Sequence, residues 1–520
     1  FAFELFSRYI KNKNLESHNI YSILPLISYF IVKHHHGGLD DIERDLNVKS
    51  LMDEFMNIKG QLADMRGNRS HIEDIYTRLF KNQKMDSFDF FNCMSKYSLE
   101  IESPDRLRKM IKALRKVLYE FKKDDGGVIY FLLTQLLFST LIDADKKHAG
   151  KVEYLERRAV PTDIVDEYKN QDEFKQKNIS RINRIRDEIY EAVLRKIDQV
   201  DLNQGVFSIT APTGTGKTLT SLSAALKLRR RIEGSFGYKP RIIYSLPFTS
   251  IIDQNFEVFD DVLKNTILDF EENESAYIIK HHYQADIKYR VKGKEKAIEE
   301  SLALIETWDS EIIVTTFIQL FYSIIGYKNR FLKKFHNMVN SIIILDEVQN
   351  IPVKYWDLVG SILSAMAKYF RCRIILLTAT KPLIFGTNEC TELVRNHEWY
   401  FKQKELNRVC LSIEREDKTL VDFFHLLNGS EWDKDSYMFV FNTIRSSLEF
   451  YSLIGENKDV SDIKAKVTRI TKNGRKYEVY YLSASIVPKT RRERIEIIKK
   501  RLDEGERIII ITTWKGSIHR

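Results

Sequence analysis

The sequence predicts a multidomain protein: an all-α region, then two α/β domains on parallel sheets, the second incomplete. Three observations predict this. Residues up to about Leu155 carry helical periodicity. From residue 205 to about 385, apolar strand patterns alternate with helical ones, which is how a parallel sheet reads. A glycine-rich run, Ala211-Pro212-Thr213-Gly214-Thr215-Gly216-Lys217-Thr218, sits between one such strand and one such helix.

The 520 residues suffice for three or four domains, and the patterns divide them into 1–155, 156–198, 199–400 and 401–520. With 43% hydrophobic and 30% charged residues, the chain reads as globular. A net charge of +9 agrees with a polyanionic partner, and equally with an ordinary basic surface. Cys93, Cys372, Cys390 and Cys410 lack metal-type spacing, which suggests a reducing, cytoplasmic setting without disulfides. No signal peptide is present, and the apolar runs Ile20–Val32 and Val128–Ile142 are too short to span a bilayer. They read as buried helices, and no membrane partner is expected. The chain opens on Phe1 and stops soon after the strand pattern Arg507–Thr513, so both ends read as cut.

Taken in order, Ser17 is a suitable N-cap for a helix through Tyr21, Leu24, Ile27 and Ile31, which Gly37-Gly38 ends. His18 lies near its start and His34-His35-His36 at its end. A polar stretch from Asp40 to Asp125 precedes an apolar helix, Val128–Leu141, that ends in Asp143-Ala144-Asp145. Imidazoles with carboxylates suit a transition metal. A solvated helix end and a capping pair account for the same residues equally well. Glu153 to about Ile197, broken by Pro161, reads as a linker and lead-in helix.

Gly205–Thr210, the glycine-rich run and the helix Leu219–Leu228 form the strand, loop and helix that a phosphate-binding loop needs. Pro212, Thr213, Gly214, Thr215 and Gly216 would cradle the phosphates of ATP with backbone N–H groups. The helix N-terminus adds a favourable dipole. Lys217 would reach the β- and γ-phosphates, and Thr218 would ligate Mg²⁺. The strand Ser341–Leu345 ends in Asp346-Glu347-Val348-Gln349, which puts both carboxylates at the carboxyl edge of the sheet. Asp346 would hold Mg²⁺, Glu347 would orient and deprotonate the attacking water, and Gln349 would sense the γ-phosphate. His281-His282-Tyr283 has no carboxylate or Cys at ligand spacing, so a structural or strand-facing role is expected.

These runs together resemble the CRISPR-associated helicase–nucleases, which fuse an HD nuclease domain to a superfamily 2 motor with two RecA-like domains. The resemblance rests on His18, His35-His36-Gly37 and Leu137 to Asp145; on Pro247 to Gln254, similar to motif Ia; and on Trp308-Asp309 with Ile312–Thr316 and Gln319. It rests also on Asp346-Glu347-Val348-Gln349 before Asn350-Ile351-Pro352, on Thr378-Ala379-Thr380 as motif III, and on Thr512-Thr513 opening motif V. The resemblance implies metal ligation by His18, His35, His36 and Asp145, with Asp143 second. The metal would be divalent Mn²⁺, Co²⁺, Ni²⁺ or Fe²⁺. It implies phosphate contacts from Thr249, Ser250, Thr315 and Thr316, and from Asn442, Thr443 and Arg491 in the second motor domain. The implied activity is ATP-dependent translocation on the displaced single strand of DNA that an RNA-guided surveillance complex opens, with metal-dependent cleavage of that strand. The family's His-Asp dipeptide, the continuation of motif V and the arginine-rich motif have no counterpart in this sequence. Two other classes fit the same residues: an RNA-remodelling ATPase with a non-catalytic helical scaffold, and a nucleotide-switched binding module without catalysis.

Overall fold

Long apolar runs before residue 150 build helices, and short ones after residue 200 build strands. The computed structural model describes residues 19–47, 65, 67–81, 104–123, 127–152, 155–171, 180–282, 288–380, 384–386, 389–406, 410–455, 468–483 and 485–513. The chain forms two units that divide between Arg408 and Val409.

The first unit begins with helices α1 (Asn19–His34), α2 (Arg69–Lys81), α3 (Pro104–Lys123) and α4 (Gly127–Ala149). Ile23, Leu26, Ile27 and Ile31 of α1 pack with Ile111 of α3 and with Phe138 and Ile142 of α4. α4 corrects the sequence reading. It does not stop at Leu141 but runs for 23 residues, so Asp143 and Asp145 lie inside it. Asp143 pairs with Lys147 at 3.0 Å, one turn on, and Lys146, Lys147 and His148 suit the negative end of the helix dipole. At this length α4 is long and apolar enough to cross a membrane, contrary to the expectation from the shorter run. Here it packs on protein: the Gln135 amide donates to Gly326 O at 2.8 Å. Beside it, Leu39 N donates to Tyr327 O at 2.8 Å and Asn329 Nδ2 to His35 O at 3.0 Å.

Next comes the lead-in helix α5 (Arg181–Gln199), capped by Ser180. Ile185, Ile189, Val193 and Ile197, four residues apart, form one buried stripe against the core. The sheet then unfolds in order: β1 (Val206–Thr210), α6 (Lys217–Phe236), β2 (Ile242–Leu246), α7 (Thr249–Thr266), β3 (Ile278–His281), β4 (Ile312–Thr316), α8 (Phe317–Ile325), β5 (Ile342–Leu345), α9 (Trp356–Tyr369), β6 (Arg373–Thr378) and β7 (Thr391–Glu392). The seven strands are parallel, in the order β3-β4-β2-β5-β6-β1-β7. Phe207, Ile209, Tyr244, Ile344 and Ile375 face one core, and Val206, Ile243, Ile313, Ile343 and Ile374 face the other. Both faces are covered, so the strands read as unbroken apolar runs rather than alternating ones.

Glu311 at the start of β4 gathers three arginines. Arg157 grips it through Nε at 2.8 Å and Nη2 at 2.7 Å, Arg158 N donates to it at 2.9 Å, and Arg229 of α6 completes the set. This ties the stretch before α5 to the sheet.

The second unit holds α10 (Leu420–Gly429), β8 (Ser436–Phe441), α11 (Ile444–Ile454), β9 (Thr468–Lys472), β10 (Arg475–Leu482), α12 (Pro488–Asp503) and β11 (Ile508–Thr513). Its sheet has the order β8-β11-β10-β9, and β9 alone runs antiparallel, to β10. The strand pattern Arg507–Thr513 marks β11, whereas the Thr, Arg and Lys residues of β9 hide its apolar periodicity. Asn473-Gly474 forms the hairpin turn, with φ of 48° and 74°.

Candidate nucleotide-binding and strand-binding site

The parallel sheet brings the segments that follow β1, β2, β4, β5 and β6 to one carboxyl edge. Gly214 and Gly216 turn the loop after β1 with φ of 79° and 78°, a region that favours glycine. Thr215 Oγ1 donates to Pro212 O at 2.8 Å and braces the loop. Lys217 opens α6, and its buried Nζ donates to Ala211 O at 2.9 Å. Burial pushes its ammonium pKa down, and Glu347 and Asp346 act against that shift. The lysine therefore lies in the field of both carboxylates. Thr218 Oγ1 donates to Asn255 Oδ1 at 2.8 Å.

Asp346 follows β5, and its N–H donates to Ser245 O at 2.9 Å. Its Oδ2 accepts from Tyr244 OH at 2.6 Å and its Oδ1 from Glu347 N at 2.9 Å. Burial pushes this carboxyl up to about 6, against the hydrogen bond from Tyr244. Glu347 holds φ at 54°, a left-handed conformation that costs a residue with a side chain of order 1 kcal/mol or more. The Gln349 amide donates to the Glu347 carboxylate, and its carbonyl accepts from Thr378 Oγ1 at 2.9 Å. Thr380 N in turn donates to Thr378 Oγ1 at 2.9 Å. One hydrogen-bonded line thus runs from Glu347 through Gln349 to Thr378 and Thr380.

The residues expected on the nucleic-acid strand have local duties as well. Thr249 and Ser250 form the first turn of α7. Thr316 Oγ1 caps α8 by accepting from Gln319 N at 3.1 Å, and buried Thr315 donates to His281 O at 2.7 Å. His281 Nδ1 accepts from the Trp308 indole at 2.8 Å, which makes it a packing residue. Tyr283 lies outside the described residues. In the second unit Asn442 is exposed after β8, Thr443 caps α11 by accepting from Ser446 N at 3.1 Å, and Arg491 sits in the first turn of α12.

Of the expected metal ligands, the described ones form no cluster. His18 lies outside the described residues. His35 Nδ1 bonds Val32 O at 2.6 Å and its ring lies 3.7 Å from that of exposed His36. Asp143 is held by Lys147 at 3.0 Å and faces His336 Nε2 at 3.4 Å, while Asp145 is exposed. Among the described residues no three groups of metal-binding type come together.

Three residues of the site escape a reading of the sequence. Tyr244 is buried mid-strand and looks purely apolar there. Asn255 lies nearly two helical turns into α7. Arg186 of α5 donates from Nε to Gly214 O at 2.8 Å, and only the fold brings it to the loop.

Residues 183–384 match the family model for DEAD/DEAH box helicases, a stretch that runs from α5 through Thr378 and holds the whole nucleotide edge. That match lies wholly within the first unit. Over 202 residues the chain is 32% identical to the CRISPR-associated nuclease/helicase Cas3 of Haloferax volcanii, covering 37% of this chain and 21% of that protein. It is Cas3-like in this segment. Among solved structures it is similar to T. fusca Cas3, at 13% identity and a TM-score of 0.46, over 82% of this chain and 47% of that one. It is also similar to the Mycobacterium smegmatis helicase Lhr bound to single-stranded DNA and AMP-PNP, at 12% identity and a TM-score of 0.35, over 63% and 39%. The chain spans about a fifth of the curated relative and less than half of these solved chains.

Proposed function

We propose that this chain is an ATP-driven motor on single-stranded DNA that serves CRISPR interference in the cytoplasm. An RNA-guided surveillance complex would present the displaced strand to it. The observation that carries the motor is the placement of buried Lys217 in the field of Asp346 and Glu347, beside a loop turned by Gly214 and Gly216.

These residues fit a magnesium-bound triphosphate. Lys217 exchanges its bond to Ala211 O for the β- and γ-phosphates. Thr218 and Asp346 are the residues that would hold Mg²⁺, which neutralises phosphate charge when bound. Glu347 orients a water and takes its proton. Gln349, bonded to both Glu347 and Thr378, passes the state of that carboxylate to motif III. Thr249, Ser250 and Thr316 stand at the same sheet edge, with buried Thr315 behind them, and Asn442, Thr443 and Arg491 in the second unit; the outer residues meet backbone phosphates, so sequence preference is slight. Lys217→Ala or Glu347→Gln should cut DNA-stimulated ATP turnover by about a hundredfold or more, the scale of a lost charge-stabilising group. Stimulation by single-stranded RNA but not DNA would favour the RNA-remodelling reading. Changes in DNA affinity with ATP but without turnover would favour the binding module.

The nuclease half of the proposal rests on the sequence resemblance at His18, His35, His36, Asp143 and Asp145. Its test is nicking of single-stranded DNA with Mn²⁺, Co²⁺, Ni²⁺ or Fe²⁺. Lys217→Ala should spare that nicking and His35→Ala should abolish it; no nicking by the unaltered chain would make the helical region a scaffold.

A further inference from the structure

The 20 residues of α3 contain eight Lys or Arg and two acidic residues, so they hold most of the chain's formal +9. The charge is ordered. Ile111, Leu114 and Leu118 turn into the helical core with α1 and α4. Arg108, Lys112, Arg115 and Tyr119 follow at intervals of three or four and are exposed, on a face well away from the buried one. Tyr119 is 58% exposed. Lys109 and Lys116 flank this stripe and are exposed too. Asp105, itself exposed, pairs with Arg108 at 3.2 Å.

Such a face has a cost. Like charges four apart on a helix repel by a few tenths of a kcal/mol per pair. α2, nearby in sequence, avoids that: Arg69 pairs with Glu73 at 2.8 Å and Arg78 with Asp74 at 2.5 Å. Along α3 no acidic residue occurs between Asp105 and Glu120. Cations four apart stand about 6 Å apart along the axis, a regular row of positive charge. A phosphodiester backbone is the partner that complements a regular row of cations with an exposed aromatic ring among them. A membrane surface fits poorly, because an interfacial helix inserts its apolar face and that face of α3 is already packed.

We infer that the exposed basic face of α3 is a second single-strand binding track, outside the helicase motifs. The inference rests on the reading of the chain as a single-strand motor. The track holds DNA by phosphate contacts from Arg108, Lys112 and Arg115, without sequence preference.

The test uses the full chain and a labelled thirty-residue oligothymidylate, titrated over a range of salt concentrations. The triple change Arg108→Gln, Lys112→Gln, Arg115→Gln should weaken binding at least about tenfold at low salt. It should also flatten the slope of log affinity against log salt by about 2, three phosphate contacts on a single strand. ATP turnover without DNA should not change, and Arg108→Lys with Arg115→Lys should restore affinity. Unchanged affinity and slope, with DNA still stimulating ATP turnover, would overturn the track and leave the motor standing. Lost binding in the triple variant, in a chain whose ATPase ignores DNA, would keep the track and overturn the motor. Release from phosphatidylserine vesicles without loss of oligothymidylate binding would overturn the track in favour of a membrane.

Discussion

Asp346 sits where burial disfavours a negative charge. Its carboxyl is pushed from 3.8 up to about 6, so the folded chain holds this proton more tightly than the unfolded chain does. The resulting stability is fully present below the unfolded value and is lost as pH rises through about 6. Above that pH the ionised group costs the nucleotide-free chain roughly 3 kcal/mol, at 1.36 kcal/mol per unit. Asp346→Asn should therefore abolish ATP turnover and raise the melting temperature at pH 8 by several degrees, and the gain should fade towards pH 4. An equal or lower melting temperature at pH 8 would show that the site carries no such cost. Tyr244→Phe removes the hydrogen bond that opposes the shift. It should move the acid limb of ATP turnover to higher pH, read from the rate profile between pH 5 and 8.

Elements here are joined by buried charge as well as by apolar contact. Glu311 is 1% exposed and Arg229 is 2% exposed. Desolvation opposes the ionised Glu311, yet the hydrogen bonds and charges of Arg157 and Arg229 hold its pKa below the usual value. That stabilisation is present above the unfolded pKa and lost as pH falls through the depressed folded one. Removing one partner of a buried pair leaves the other uncompensated, at a cost of about 3 to 5 kcal/mol. Glu311→Ala should cost that much in a urea melt and should loosen the stretch around Arg157, seen as faster amide exchange at Arg158. A loss under about 1 kcal/mol would mean that water reaches Arg229. Thr378→Ala acts on a different joint. It cuts the Gln349 contact between β5 and β6, so basal ATP turnover should survive while its stimulation by DNA falls.

For the whole molecule, the strand order decides which chemistry meets which. β6 lies between β1 and β5, so motif III stands between the phosphate loop and the acidic pair. Thr249 follows β2, and Thr315 and Thr316 end β4, on the far side of β5. On the proposed reading one edge would serve ATP at one end and nucleic acid at the other, with the Glu347–Gln349–Thr378 line between them. If the second contact on α3 also operates, DNA-stimulated ATP turnover should fall more steeply with salt in the unaltered chain than in the α3 triple variant. Equal salt dependence would place all strand contacts within the motor.

The nucleotide edge was legible in the sequence, because its residues are short runs fixed to strand ends: Gly214 to Thr218 after β1, Asp346 and Glu347 after β5. Local backbone geometry alone puts such residues at a sheet edge. Tyr244, Asn255 and Arg186 were not legible, since each reaches the site across many residues and only packing brings it there. The helical region shows the same divide. Its apolar runs announced α1 and α4, but the extent of α4 and the partners of Asp143 depend on Lys147 and His336, one a turn away and the other about two hundred residues on. The sequence by itself determined that Lys217, Asp346 and Glu347 stand beyond strand ends. Only the tertiary structure decided that Asp143 serves an ion pair and that α3 turns its cations outward, because long-range contacts choose which face of a helix is buried.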